Sequence, residues 1–466
     1  MRTINVTNKK IFMMSLPIFL ELFLQLLVGN IDQIMLSGFS SSVAAIGNAN
    51  TIINLVIVIL TLSAAGGMVA ITRYIGANDE RKVKDAIIVT FGLVIAFGLI
   101  FTLVLVFAAE PLLRVLNAPE EIIAEASAYT VIVGAGLVIQ AVQIAAVAVL
   151  RSHSKVKEIL ICAVIMNLCN ILGNWLLING IWIFPRLGIV GAAISTDIGK
   201  AIGLMVTLAY LSKKVPVKIK FSDLKHFPKE SFKEIVKIAL PTGGESTSYN
   251  ISQIVILSFV NLFGTAVITA KVYCSMLANV AYLYSTAIAQ STQINIGYMV
   301  GAGDYDGVSS RVNRTTLICI AISVSLSVIL WATSDFVVGL LNTDPEVLAL
   351  CKQIMFIEIF LEIGRSVNIV MTRCLATVND IYIPVGITMV MEWTVAVFLG
   401  YIFAVEAGYG LVGLWIAMAA DEILRGIFFE IRFARRRWIV GHTQNKKLLP
   451  HPLHIRFADV IISLTK

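Results

Sequence analysis

The chain has 466 residues, of which 58% are hydrophobic and 14% are charged, and its mean hydropathy is +0.87. A soluble protein of this size needs a polar surface that so few charged residues cannot provide, so the composition excludes an ordinary soluble domain. The 36 basic and 29 acidic residues give a net charge of +7. Because the basic residues gather in short loops between apolar runs, we expect them to face anionic lipid headgroups of a bilayer rather than nucleic acid.

Twelve apolar segments follow one another along the chain, and each is long enough to cross a bilayer as a helix. Helix is the expected structure because a spanning backbone must satisfy its own hydrogen bonds. We therefore predict an all-α polytopic membrane protein of twelve transmembrane helices. The predicted spans are residues 12–37, 50–73, 86–109, 122–150, 158–180, 188–211, 235–261, 266–300, 312–341, 347–375, 381–405 and 410–433.

Lysine and arginine residues are concentrated on one side of this topology. With the N-terminus inside the cell, the inner loops and the tail carry most of them, whereas the outer loops hold little beyond Arg114 and Arg186. By the positive-inside rule, both termini are cytoplasmic. We expect a multi-pass protein of the cell (plasma) membrane that is monomeric.

A sequence repeat divides the twelve spans into two sets of six. Four short motifs recur in the same order at offsets between 222 and 226 residues, which is hard to produce by chance. The recurring pairs are Leu16-Pro17-x-x-x-Glu21 with Leu240-Pro241-x-x-x-Glu245, Gly76-Ala77-Asn78-Asp79 with Gly301-Ala302-Gly303-Asp304, Leu116-Asn117 with Leu341-Asn342, and Gly188-Ile189-Val190-Gly191 with Gly410-Leu411-Val412-Gly413. Since six is even, both halves enter the membrane from the same side as parallel repeats, with a cleft between them.

These patterns predict four regions in chain order. They are an N-lobe of helices 1–6 over residues 1–211, a basic cytoplasmic linker over 212–234, a C-lobe of helices 7–12 over 235–434, and a basic cytoplasmic tail over 435–466. Two lobes that rock about a central cleft have the architecture of an alternating-access transporter.

Polar residues at membrane depth in the first half mark a candidate cation site, because each buried ionisable group there is costly. Asp32 is an acid on the first span, Asn170 and Asn174 share one face of the fifth, and Thr196 lies on the sixth. Carboxylate, amide and hydroxyl oxygens together can hold a proton or a hard cation such as Na+. The alternative is that these groups join helices by hydrogen bonds. For Asp32 we favour ion coupling, since burying an unpaired carboxylate is an energetically costly way to join two helices.

The second half is chemically different from the first. Glu245 occupies the position that matches Glu21, Tyr249 lies on its face, and Glu392 has no partner close in sequence. Tyrosine rings such as Tyr273 can stack on flat cationic ligands, although helix packing is the simpler role for most of them. The candidate residues of a substrate cavity are Glu21, Gln25, Glu245, Tyr249, Tyr273 and Glu392.

Two clusters of ionisable residues in the second half are predicted to form ion pairs among their own members. Their members lie three or four residues apart, so they share one helical face. The clusters are Glu358, Glu362 and Arg365 on span ten, and Asp421, Glu422 and Arg425 on span twelve.

An ordered set of motifs over residues 12 to 435 resembles the multidrug and toxin extrusion family. The motifs are the opening Leu16-Pro17, Asn30-Ile31-Asp32-Gln33-Ile34-Met35, Arg73-Tyr74-Ile75-Gly76-Ala77-Asn78-Asp79, the segment 170–174 and the segment 188–196. The resemblance implies two six-helix lobes arranged as a V. It also implies export of organic cations or toxins, driven by inward flow of H+ or Na+.

The same resemblance assigns candidate roles to individual residues. The family's first-span acid matches Asp32, its fifth-span polar pair matches Asn170 and Asn174, and its sixth-span hydroxyl matches Thr196. If Na+ is the coupling ion, Asp32, Asn170 and Asn174 are the expected ligands. Two positions depart from the family pattern: several members have Asp where this chain has Asn174, and many have an acid where this chain has Tyr249.

Three functions remain to be compared at this point. The first is a secondary antiporter that exports amphiphilic, cationic small molecules and needs no cofactor beyond the coupling ion. The second is a flippase of lipid-linked oligosaccharide, for which embedded bases would hold a pyrophosphate. The third, a membrane-embedded enzyme, is the weakest, because the predicted spans contain no histidine and no catalytic motif. The embedded bases are Lys200, Lys271, Arg365 and Arg425.

Overall fold

The computed structural model describes residues 4–28, 35–36, 40–116, 118–217, 223 and 227–439. Within these ranges the chain forms twelve long helical segments. They are α1 (Asn8–Val28), α2 (Ser40–Gly76), α3 (Glu80–Phe107), α4 (Glu120–Ala135 and Leu137–Ser152), α5 (Val156–Asn179), α6 (Gly188–Lys214), α7 (Lys229–Val260), α8 (Thr265–Gly301), α9 (Tyr305–Gly339), α10 (Pro345–Thr377), α11 (Tyr382–Met391, continued by Glu392–Leu399 and Ile402–Glu406) and α12 (Gly410–Ala434). Short helices also cover Ala109–Val115, Asn261–Phe263 and Arg437–Ile439.

The twelve helices correspond one to one to the twelve predicted spans, so the predicted all-α fold is confirmed. Eight of them are long and apolar enough to cross a membrane, and a ninth is α4, whose two parts meet at a bend of 48°. The other three, α7, α10 and α12, carry many of the ionisable residues of the second half. Most of the last third of the first predicted span, residues 29–34 and 37, lies outside the described residues. Helix α2 begins at Ser40, ten residues before the start of the second predicted span.

The repeated Gly-Ala-x-Asp motif ends one helix and starts the next in each half. Asn78 and Gly303 have φ angles of +61° and +76°, a left-handed conformation that asparagine and glycine tolerate best. Asp79 then accepts a hydrogen bond from the backbone N–H of Lys82, and Asp304 accepts one from Gly307, both at 3.0 Å. Each aspartate therefore caps the N-terminus of the following helix.

Each half of the molecule has its own apolar core. Leu60 and Leu137 are fully buried in the core of α1–α6, and Ile354 and Leu414 are fully buried in that of α7–α12. Each core is built mainly from one set of six helices, so each half is a packed unit of its own.

The two halves meet at one end of the bundle, which we call the basic end because α2 and α4 finish there with Arg73 and Arg151. Arg73 Nη2 lies 2.5 Å from Glu234 Oε1 at the start of α7, and the hydroxyl of Tyr74 donates to the same carboxylate. From the other half, the hydroxyl of Tyr298 on α8 donates to the backbone carbonyl of α4 at Ser152. The halves thus form a V that is closed at the basic end.

Candidate functional site

A cavity of about 700 Å³ lies between the two halves above their contact at the basic end. Helix α2 contributes an apolar wall that includes Val58, Leu62 and Val69, and the opposite wall comes from α7, α8, α10, α11 and α12. The charged residues that line it are Glu245, Lys271, Glu358, Arg365, Arg373, Glu422 and Arg425. All of these belong to the second half, so the cavity is apolar on one side and charged on the other.

The cluster on α10 is an ion-paired unit, as its spacing predicted. Arg365 Nη1 lies 2.8 Å from Glu358 Oε1 and 2.5 Å from Glu362 Oε1. The remaining oxygen of Glu358 accepts a 2.7 Å hydrogen bond from Trp415 Nε1 of α12. Because both carboxylates are 1% exposed or less, this pairing is what makes their burial tolerable.

The cluster on α12 is built in the same way. Arg425 Nη2 lies 2.6 Å from Asp421 Oδ2 and 3.2 Å from Glu422 Oε1. Asn368 of α10 donates a 2.5 Å hydrogen bond to the Glu422 carboxylate. The two clusters are therefore linked across the α10–α12 contact, and their arginines are held by carboxylates.

The structure brings Glu245 and Tyr249 of α7 together on the cavity wall. Glu392 is buried beside them and binds α7, since its two oxygens accept hydrogen bonds of 2.5 Å from Ser252 and 3.2 Å from Ser248. Glu245 differs, because no lysine or arginine nitrogen of the described residues lies within 4.0 Å of its carboxylate. Thr388 of α11 lies beside it, and the charges of Arg425 and Arg373 act on it from beyond that distance. Glu245 is therefore a carboxylate of this cavity without a direct ion pair among the described residues.

Three other predicted cavity residues lie elsewhere. Glu21 on α1 is 4% exposed and forms an ion pair of 2.6 Å with Arg151 of α4, inside the first half. Gln25 is exposed one turn further along α1 and is not part of the cavity wall. Tyr273 packs against the core of the second half. Tyr282, nine residues later and thus on the opposite face of α8, lines the cavity instead.

The predicted cation site in the first half is described only in part, because Asp32 lies outside the described residues. Asn170 Nδ2 of α5 donates a 3.1 Å hydrogen bond to Thr196 Oγ1 of α6. Asn174, one turn along α5, is completely buried. These helices approach closely because Gly173 faces Ser195 with no room for a Cβ atom. The three predicted partners of Asp32 therefore lie in one region of the first half.

Arg373 on α10 was missed by the sequence analysis. It lines the cavity, and its contact to another side chain is a 3.5 Å hydrogen bond from Nη1 to Gln293 Oε1 of α8. The signal was present in the sequence: Arg365 and Arg425 have acids three or four residues away, whereas the corresponding neighbours of Arg373 are Ile369, Val370, Ala376 and Thr377.

Comparison with known proteins gives consistent matches over most of the chain. The model of the MatE family matches residues 17–176 and again residues 241–402, with starts 224 residues apart, within the range of the repeat offsets. The chain is 33% identical over 430 residues to the uncharacterized transporter YisQ of Bacillus subtilis, which covers 92% of this chain and 94% of that protein.

One further relative and one solved structure are similar to most of the chain. The chain is 22% identical over 438 residues to the probable multidrug resistance protein NorM of Thermotoga maritima, covering 92% of this chain and 93% of that one. The crystal structure of a MATE protein in the bent conformation has a TM-score of 0.86 and 18% identity, covering 93% of this chain and 96% of the other. That structure supports the fold.

Proposed function

The chain belongs to the MatE family of multi-pass membrane transporters, and from this premise we propose that it exports cationic amphiphilic drugs or toxins by antiport with H+ or Na+. Glu245 is the observation that carries the proposal. A carboxylate without a direct ion pair, in a cavity between the two halves, attracts an organic ammonium ion. The apolar wall of α2 suits the hydrophobic part of an amphiphile, and a volume of about 700 Å³ is typical of small-molecule sites.

The coupling ion is proposed to bind in the first half, at Asp32 with Asn170, Asn174 and Thr196. If the ion is Na+, Asp32, Asn170 and Asn174 are its ligands. Antiport requires that substrate and ion prefer different arrangements of the halves, since a ligand shifts an equilibrium only through differential affinity. The direct contacts of the first half with the second, through α1 and α2, are a physical route for this coupling.

The positive-inside rule places the basic end at the cytoplasmic face of the plasma membrane. The V described above is then closed to the cytoplasm and open toward the outside. In this state a bound cation is released outward, and closure of the other end returns the cavity to the cytoplasm. We propose that a single chain completes this cycle as a monomer.

A lipid-linked oligosaccharide flippase is the weaker candidate. It needs bases in the cavity to hold a pyrophosphate, but Arg365 and Arg425 are each held by two carboxylates. Lys200 lies on α6 and is not among the residues that line the cavity. Lys271 and Arg373 do line it, but Arg373 bonds Gln293, which lies 22 residues and thus about 33 Å further along α8 than Lys271. These two bases therefore do not converge on one pyrophosphate.

Transport by the purified protein in liposomes tests the proposal. An imposed pH gradient and, separately, an imposed Na+ gradient should drive movement of a fluorescent cation such as rhodamine 123. Asp32→Asn should abolish the response to the gradient while the protein still binds the dye, and Glu245→Gln should weaken dye binding. Glu230→Gln, an exposed position at the start of α7, is the matched control. Gradient-driven transport that is unchanged in Asp32→Asn would contradict the coupling role.

A further inference from the structure

The cavity contains a second open charge, of opposite sign to Glu245. Three arginines line it, and Arg365 and Arg425 each lie within 4.0 Å of two carboxylates. For Arg373 no carboxylate oxygen of the described residues lies within that distance. The Glu245 carboxylate acts on it electrostatically from further away, across the cavity. Its 3.5 Å hydrogen bond to Gln293 is at the long limit for such a contact. The guanidinium therefore keeps most of its five donors for a ligand.

An arginine in this position is costly without an anionic partner. Removing a guanidinium from bulk water loses favourable solvation, which burial near an uncharged amide does not restore. The other two cavity arginines avoid this cost through their own helix neighbours, as described above. Arg373 has no such neighbours, because the residues one turn before and after it are apolar or hydroxylic.

We propose that Arg373 binds an acidic group of the substrate, so that the cavity takes a dipolar molecule with its amine at Glu245 and its carboxylate at Arg373. This inference rests on the proposed export function and narrows its substrate class from cations to zwitterions. The planar guanidinium can hold a carboxylate through two parallel hydrogen bonds, which a lysine cannot do. The two residues project from different helices, α7 and α10, into one cavity. A ligand that spans them is therefore fixed at both ends.

The geometry also suggests where the acid is held. Arg373 lies four residues before the end of α10, and Gln293 eight residues before the end of α8. Both helices end at the basic end, so Arg373 lies toward the closed end of the V. Lys271 lies six residues after the start of α8 and therefore near the opposite, open end. The acidic group of a substrate bound at Arg373 therefore lies at the closed end of the cavity, where the halves meet.

Two dyes that differ only at one carboxyl group provide the test. Rhodamine 110 carries a free carboxylate, and rhodamine 123 is its methyl ester. Binding of each dye to the purified full-length protein is followed by fluorescence anisotropy, and its transport is followed in liposomes. Arg373→Gln should weaken rhodamine 110 binding about tenfold or more, since a hydrogen bond to a charged group is lost. It should leave rhodamine 123 binding within about twofold of wild type.

Two further variants make the result specific. Arg373→Lys keeps the charge but loses the paired donors, so it should recover part of the rhodamine 110 affinity. Arg81→Gln, an exposed arginine at the start of α3, should change neither dye. An equal loss of both dyes in Arg373→Gln would show a structural role and overturn the proposal, as would equal binding of both dyes to wild type.

The binding measurement separates this inference from the export function. If wild type binds rhodamine 110 in a manner that depends on Arg373 but no ion gradient drives its transport, the antiport proposal fails and the anion site stands. If a gradient drives rhodamine 123 but wild type does not discriminate between the dyes, antiport stands and the inference about Arg373 fails.

Discussion

Gly76 and Gly301 pack against each other's helices in a reciprocal contact between the two halves. A Cβ atom on Gly76 would lie 2.1 Å from the backbone oxygen of Tyr298, and one on Gly301 would lie 1.9 Å from that of Arg73. Gly76 and Gly301 are 225 positions apart in the chain, and so are Arg73 and Tyr298. Each half therefore offers the same surface to the other. The repeated glycine of the Gly-Ala-x-Asp motif therefore lets α2 and α8 cross with their backbones in contact.

Replacement of this glycine is expected to prevent closure of the basic end. In Gly76→Ala the new methyl group meets a backbone carbonyl, which cannot rotate away, so overpacking should cost about 2 kcal/mol. The apparent Tm of the purified protein should fall by a few degrees, and Gly301→Ala should behave alike. Gly92→Ala on α3 is the control, because a Cβ there meets nothing within 4 Å. Equal Tm values for Gly76→Ala and Gly92→Ala would show that the contact is not tight.

The ion pair between Arg73 and Glu234 is expected to hold the basic end closed. The Arg73 side chain is 7% exposed, so Glu234→Ala leaves a nearly buried guanidinium without its acid. The loss should be about 2 kcal/mol and should favour the state in which this end is open. Hydrogen exchange at the start of α7 should accelerate about tenfold or more. Glu230→Ala, one turn earlier and exposed, should leave the exchange rate unchanged. Equal exchange rates in both variants would contradict this role of the ion pair.

The hydrogen bonds to Glu392 are expected to fix α11 against α7. Ser252→Ala removes a 2.5 Å donor to a carboxylate that is 2% exposed. Loss of a hydrogen bond to a buried charged group should destabilise the protein by about 2 kcal/mol. Thermal unfolding in detergent measures the change. Ser258→Ala is the matched control, since that hydroxyl bonds a carbonyl of its own helix and is exposed. A Tm equal to that of the control would contradict this role of Ser252.

The contact of Asn170 with Thr196 is expected to matter for the coupling ion and not for the exported molecule. Thr196→Val removes the acceptor of the 3.1 Å hydrogen bond and leaves the Asn170 amide free to turn. The ion concentration that gives half-maximal transport should rise about threefold to tenfold, while dye affinity stays constant. Thr130→Val, whose hydroxyl bonds its own helix, is the control. A change in dye affinity alone would place Thr196 in the substrate path instead.

Local patterns predicted most of the helices and part of the site. The two ion-paired clusters were evident from spacing because residues three or four apart in a helix always share a face. Glu21 was also predicted to line the cavity, but it pairs with Arg151 of α4, which is 130 residues away and cannot be identified from spacing along one helix. Tyr273 was assigned to the cavity from its residue type alone, but the rotation of α8 turns it into the core.

The amino-acid sequence by itself determined that this is a twelve-helix membrane protein built from two repeats. These conclusions follow from the length of the apolar segments, from the need for internal backbone hydrogen bonding and from the recurrence of motifs. The packing of the helices changes none of these. Only the tertiary structure decided which charged groups remain open in the cavity. That depends on the rotation and crossing of helices from distant parts of the chain, and it separates Glu245 and Arg373 from neighbours whose charges are already paired.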